Sequence, residues 1–145
     1  MRCIVVGLGI QGYKRRKHAG EDFVCAVDLV NREAQYRTVE EVPLASYDAA
    51  LVCTPDEPKV DLLTYLLRNG KHVLVEKPLW AKDDDAICTL EHIAKQQGVV
   101  CYTAYNHRFE PHFQRMRDLV ASGALGALYH CRMFYGNGTA RLVRD

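Results

Sequence analysis

Short apolar runs that do not alternate with polar residues recur along this chain, and each is followed by a polar segment of helical period. A strand covered on both faces reads as such a continuous run, whereas a strand with one wet face alternates. Strands are expected at residues 2–6, 23–28, 49–53, 72–75 and 99–103, with a short extra one at 35–37. Between them lie helices at 10–19, from a cap at Asp56 to Gly70, from a cap at Asp83 to Gly98, and at 110–121. Thr38 with Glu41 has the capping-box spacing for a one-turn helix. Val60, Leu63, Leu66 and Leu67 mark the inner face of one helix, and Ala86, Ile87, Leu90, Ile93 and Ala94 that of another. The alternation predicts an α/β fold with a doubly wound parallel sheet.

The first strand runs straight into Gly7-Leu8-Gly9-Ile10-Gln11-Gly12, which opens the first helix. In a Rossmann fold this spacing serves a tight turn at Gly7, close approach of a pyrophosphate at Gly9, and close helix–strand packing at Gly12. The helix N-terminus adds unpaired N–H groups and the positive end of a dipole. Asp28 lies 21 residues after Gly7, at the end of the second strand, where a carboxylate can take the ribose hydroxyls of an adenosine. The expected cofactor is NAD, since an acid there repels a 2′-phosphate. NADP is the alternative, with Arg32 nearby to receive the phosphate. The G-x-x-x-x-G-K-[ST] loop of nucleotide triphosphatases does not fit, because Tyr13 and Lys14 follow Gly12. Tyr13 and Lys17 share the Y-x-x-x-K spacing of short-chain dehydrogenases but sit in the wrong helix for that chemistry.

Composition narrows the partners. The chain has 145 residues, 48% apolar and 26% charged, enough for a core without metal or disulfide staples. Net charge is +1 and uneven: residues 1–20 hold five Lys/Arg and no acid, mostly in the run Lys14-Arg15-Arg16-Lys17. Without interleaved aromatics that run reads as a solvated helix face, so neither nucleic acid nor membrane is expected as a partner. The apolar runs are too short to cross a bilayer and no leader follows Met1-Arg2, so a cytoplasmic protein is expected. Six cysteines lack C-x-x-C or zinc-finger spacing. Cys3, Cys25, Cys53 and Cys101 fall in apolar runs and read as buried small hydrophobes. Cys88 and His92 share a helix face with no second pair to complete a metal site, so no metal is expected. Asn137-Gly138-Thr139 reads only as a turn.

The last residues change character. Residues 127–135 alternate loosely like a strand, Gly136-Asn137-Gly138 offers a hairpin turn, and 139–143 a return strand. A lone ribbon is marginal in water. The expected division is a dinucleotide-binding domain at 1–122 and the start of a truncated second domain at 123–145.

In such sheets ligands lie beyond the carboxyl ends of the strands. The residues there are Cys53-Thr54-Pro55-Asp56, Glu76-Lys77-Pro78 and Tyr105-Asn106-His107-Arg108-Phe109. A lysine at the edge of a cofactor cleft suits hydrogen bonding to a reacting hydroxyl, which singles out Lys77. Together with Gly70-Lys71-His72-Val73-Leu74-Val75 before Glu76, these stretches resemble the Gfo/Idh/MocA family of glucose–fructose oxidoreductase, inositol dehydrogenase and their relatives. The resemblance implies an NAD(P)-dependent dehydrogenase moving hydride to or from a sugar, polyol or related substrate, with Lys77 beside the nicotinamide and the substrate hydroxyl. It implies that Thr54, Pro55 and Glu76 line the cofactor, that Asn106 and Arg108 lie near the nicotinamide and substrate side, and that the Lys77–Pro78 peptide is cis. His107 is a further candidate substrate contact. Family members are usually more than twice as long, with a C-terminal domain that supplies substrate pocket, acid–base residues and subunit contacts, so a homo-oligomer formed through that domain is expected. A non-catalytic nucleotide sensor and an inactive fragment are the alternatives.

Overall fold

A computed structural model describes residues 1–134 and 136. The chain divides into two compact units, Met1–Tyr105 and a second beginning at Asn106. The first contains β1 (Cys3–Val6), α1 (Ile10–Ala19), β2 (Phe23–Val27), β3 (Ala49–Val52), α2 (Lys59–Arg68), β4 (His72–Val75), α3 (Asp84–Gln97) and β5 (Cys101–Thr103). All strand pairs are parallel and the sheet order is β2-β1-β3-β4-β5. The expected strand at 35–37 contracts to one parallel bridge, Val27 to Tyr36. Counted as a third position beside β2, that bridge gives the 3-2-1-4-5-6 order of a dinucleotide-binding sheet. The order reverses between β1 and β3, where a crevice forms.

The missing alternation in β1 is explained by burial on both faces. Ile4 and Val6 enter a large cluster with Leu63, Leu66, Leu67, Leu90 and Ile93, while Val5 points the other way into a smaller one with Leu8 and Ala26. Each fully buried leucine of α2 contributes roughly 1.5–3 kcal/mol by leaving water, so the α2 face accounts for much of the larger layer. Lys71 closes one corner of the core: its Nζ donates to Leu44 O at 2.7 Å and Tyr47 O at 2.9 Å. Cys25 is buried, and Cys3, Cys53 and Cys101 are partly buried. Burial raises all four thiols, Cys53 to about 12.

Helix starts follow the sequence signals with one correction. Asp83 caps α3, its carboxylate accepting from Ala86 N at 2.8 Å. The Glu41 carboxylate accepts the backbone N–H of Arg37 at 2.8 Å and of Thr38 at 3.5 Å, ahead of the one-turn helix Val39–Glu41. Asp56, expected to cap α2, does not: Pro58 is the N-cap residue and the Asp56 carboxylate binds Lys59 Nζ at 2.7 Å. A charge-assisted bond to an ammonium outcompetes a neutral backbone N–H.

The second unit holds a one-turn helix, Asn106–Phe109, and α4 (Pro111–Ala121), with Pro111 in its first turn. The strand expected over 127–135 does not form in the described residues 127–134, where Tyr129 and Phe134 are 95% and 99% exposed. An alternating pattern makes a strand only where a partner ladder is present. The return strand at 139–143 and most of the proposed turn lie outside the described residues.

Candidate functional site

β1 delivers the chain to a turn that requires glycine at two positions. Gly7 has φ +93°, and a Cβ there would lie 2.8 Å from Cys53 O. A Cβ on Gly12 would lie 1.9 Å from Gly7 O, so α1 is seated directly on the turn. Gly9 differs: a Cβ there would meet nothing within 4 Å, which leaves its outer side open to a ligand. Gly9 is the N-cap residue of α1 and no side chain caps the helix, so the first-turn amides, including those of Ile10 and Gln11, face outward without a side-chain acceptor.

Asp28 stands beside this turn. Its Oδ2 accepts Leu8 N at 2.7 Å, and its Oδ1 accepts Val30 N at 3.0 Å and Asn31 N at 2.8 Å. Burial by itself raises this carboxyl; the N–H groups of Asn31, Leu8 and Val30, together with the Arg37 charge, more than reverse it, and the pKa lies below the usual value. Three of about four lone-pair positions are therefore filled by the protein, leaving one for a ligand hydroxyl. Asn31 returns the link, its Nδ2 donating to Leu8 O at 3.1 Å and Tyr13 Oη at 3.0 Å.

An open cleft of about 850 Å³ lies over the switch point, within the size range of small-molecule and cofactor sites. Gly7, Gly9, Asp28, Thr54 and Pro55 of the sequence-predicted set line it. Thr54 Oγ1 is buried and has no hydrogen-bond partner among the described residues, so the cleft contains a polar atom that its own protein leaves unserved. Leu29 and Val30, 75% and 85% exposed, give the same cleft an apolar platform next to Asp28. These features fit a dinucleotide: an open glycine turn for the diphosphate, an acid for a ribose, and an apolar ledge for a base.

Three residues of the site region went unnoticed in the sequence. Arg37, not Arg32, lines the cleft beside Asp28, its Nη1 donating to Asp28 O at 3.2 Å and Asn31 O at 2.9 Å. The Val27–Tyr36 bridge brings it back to the strand end. Arg15 is not simply solvated: its Nε and Nη2 reach Glu76 Oε1 at 2.8 and 2.6 Å. The third is Lys59, buried at 1% exposure and joined to the turns after β3 and β4. A capping residue upstream and a three-residue offset to Asp56 were the available signals for it.

Glu76 follows β4 with its N–H on Val52 O at 2.8 Å and its carboxylate on Arg15, outside the cleft lining. Lys77 is exposed and the Lys77–Pro78 peptide is cis, as the resemblance implies. Asn106, His107 and Arg108 form the one-turn helix that opens the second unit. There His107 Nδ1 and His112 Nε2 both contact the Glu110 carboxylate, and the Arg108 guanidinium lies 5.8 Å from the Phe109 ring centroid. Among the described residues no cluster of three His, Cys, Asp or Glu is arranged to hold a metal, and no helix is long and apolar enough to cross a membrane.

Known proteins share this fold. The chain is 27% identical to scyllo-inositol 2-dehydrogenase (NAD(+)) of Bacillus subtilis over 87% of its own length and 42% of that protein's. It is 32% identical to myo-inositol 2-dehydrogenase of Thermotoga maritima over 54% of the chain and 23% of that enzyme. The crystal structure of GenD2 from gentamicin A biosynthesis in complex with NAD superposes with a TM-score of 0.73 at 25% identity, covering 86% of this chain and 40% of that one. The chain thus spans less than half the length of the relatives it matches. Residues 1–105 match the Gfo/Idh/MocA family, described as an oxidoreductase family with an NAD-binding Rossmann fold, and the chain belongs to that family.

Proposed function

We propose that this chain is the cofactor-binding part of a dehydrogenase that passes hydride between NAD and a secondary hydroxyl or ketone carbon of a cyclic polyol or sugar. The observation that carries the reading is the single cleft shared by the open Gly9 turn, the Asp28 carboxylate and the unserved Thr54 hydroxyl. The relatives named as inositol dehydrogenases support the substrate class.

When bound, NAD would supply the hydride acceptor. Gly7, Gly9 and the α1 amides of Ile10, Gln11 and Gly12 would hold its diphosphate. Asp28 would accept from the adenosine ribose through its remaining lone-pair position, with Leu29 and Val30 against the base. Thr54 and Pro55 would line the middle of the cofactor. Glu76, held by Arg15, would keep the turn after β4 against α1. Lys77 would hold the reacting oxygen and take part in its proton transfer, with Asn106, His107 and Arg108 on the substrate side.

Residues 1–122 would form the dinucleotide-binding domain and residues from 123 on would begin a substrate domain that also joins subunits. A cytoplasmic setting suits the six free cysteines. The test is NAD reduction by the full-length protein with cyclic polyols and sugars. Lys77→Ala is expected to lower kcat by about 10²–10⁴-fold, the usual weight of a positioned proton-transfer group. Unchanged turnover would remove Lys77 from the chemistry.

A further inference from the structure

Lys59 is the one charged side chain that is fully buried among the described residues. It occupies the first turn of α2, and its Nζ lies 2.7 Å from Asp56 Oδ1, 2.9 Å from Glu76 O and 2.7 Å from Pro78 O. Three acceptors around one nitrogen need three N–H donors, which the ammonium has and the neutral amine lacks. The acceptors come from two strand ends. Asp56 belongs to the turn after β3, two residues past the cleft-lining Thr54. Glu76 and Pro78 are the residues on either side of Lys77.

A buried ion pair is weak as a stabilising device, because an apolar side chain of similar volume often serves as well or better. What Lys59 supplies that an apolar residue cannot is direction. Its ammonium holds the carbonyl of the peptide that enters Lys77 and the carbonyl of the peptide that leaves Pro78, which pins the Lys77–Pro78 segment at both ends and so constrains the line along which the Lys77 side chain leaves the backbone. The same atom ties this turn to the Thr54–Asp56 turn.

We propose that Lys59 is a positioning residue for Lys77, setting the reach of the Lys77 amine toward the nicotinamide end of the bound cofactor. The proposal rests on the reading of the cleft as an NAD site with Lys77 beside it. Lys59 itself touches neither cofactor nor substrate.

The test is trace acetylation of the full-length protein with acetic anhydride, with and without saturating NADH, reading each lysine by mass spectrometry. Exposed Lys14 and Lys95 serve as internal references. In the unmodified sequence NADH is expected to slow labelling of Lys77 by about tenfold, since a group held in register is strongly shielded and a displacement near 1 Å loses most of such an effect. Lys59→Met is expected to bind NADH within about threefold of the original affinity, a difference under ~0.7 kcal/mol, yet to lose the shielding of Lys77. A purely structural role would lower Tm without separating these two readouts.

Each other outcome has a distinct meaning. If the original protein fails to bind NADH, the cofactor reading itself falls. If it binds NADH with Lys77 unshielded, Lys77 leaves the site and the positioning role goes with it. If Lys59→Met binds NADH and shields Lys77 as before, the proposal is overturned while the cofactor reading stands. Should Lys59→Met not fold, Lys59→Gln is read in its place, and failure of both to fold would make Lys59 a folding residue and refute the positioning role.

Discussion

The Asp28 carboxylate accepts the Leu8 amide at 2.7 Å, so the acid at the end of β2 is tied directly to the glycine turn it faces. Asn31 closes the loop by donating to Leu8 O, and both backbone polar groups of Leu8 are thereby fixed. The proposed ribose contact and the geometry of the turn are linked through one side chain.

That link predicts a pH dependence. The folded-state pKa of Asp28 is lowered, so its contribution to stability is complete above the ordinary carboxylate range and is lost as pH falls below about 4 and through the lowered value. Asp48, lowered by its hydrogen bonds with Arg2, acts in the same window. Tm measured against pH should fall steeply on the acid side, and Asp28→Asn should reduce that slope while weakening NADH binding by about 10–100-fold, the weight of a hydrogen bond to a charged group. An unchanged acid slope in the variant would count against the linkage.

The three glycines of the turn should separate experimentally. Gly12→Ala forces a Cβ onto Gly7 O and is expected to destabilise the protein by about 1–3 kcal/mol or more. Gly9→Ala meets open space and should leave Tm within a degree or two, near the ordinary scatter of surface substitutions, while losing NADH. Thermal melts alongside NADH titrations check both; equal loss of stability in the two variants would contradict the assignment of Gly9 to the ligand.

Arg15→Met leaves the mostly buried Glu76 carboxylate without its partner. A cost of about 1–3 kcal/mol is expected, the penalty of an uncompensated charged acceptor, and Glu76→Gln in the same background should recover part of it. Denaturant unfolding of the two single variants and the double variant measures the coupling, and strict additivity would show the pair to be inert.

Thiol reactivity tests the packing around the sheet. Cys88 and Cys131 are exposed, whereas burial raises Cys25, Cys101 and, to about 12, Cys53. With Ellman's reagent at neutral pH, Cys88 and Cys131 should react first and Cys53 only on unfolding. Rapid modification of Cys53 in the native protein would show that the packing at the end of β3 is looser than described.

The sheet was legible because burial on both faces leaves a plain mark: Ile4, Val5 and Val6 form a run with no polar interruption. The glycine turn and Asp28 were legible because local geometry dictates residue type there. Lys59 was hidden, since a lysine among Pro58, Val60 and Asp61 reads as a surface residue until the carbonyls it serves, 17 and 19 positions later, are brought to it. Arg37 was overlooked in favour of Arg32 because its place depends on a single bridge, Val27 to Tyr36, that returns the chain to the strand end. The C-terminal alternation misled for the opposite reason: a pattern suited to a strand has no force without a neighbouring ladder.

The most direct test of the account is calorimetric titration of the protein with NADH. One site per chain is expected, with a dissociation constant well below about 1 mM, the level at which binding free energy falls to roughly 4 kcal/mol, and with that site lost in Gly9→Ala. Absence of binding at millimolar NADH, or binding indifferent to Gly9→Ala, would contradict it.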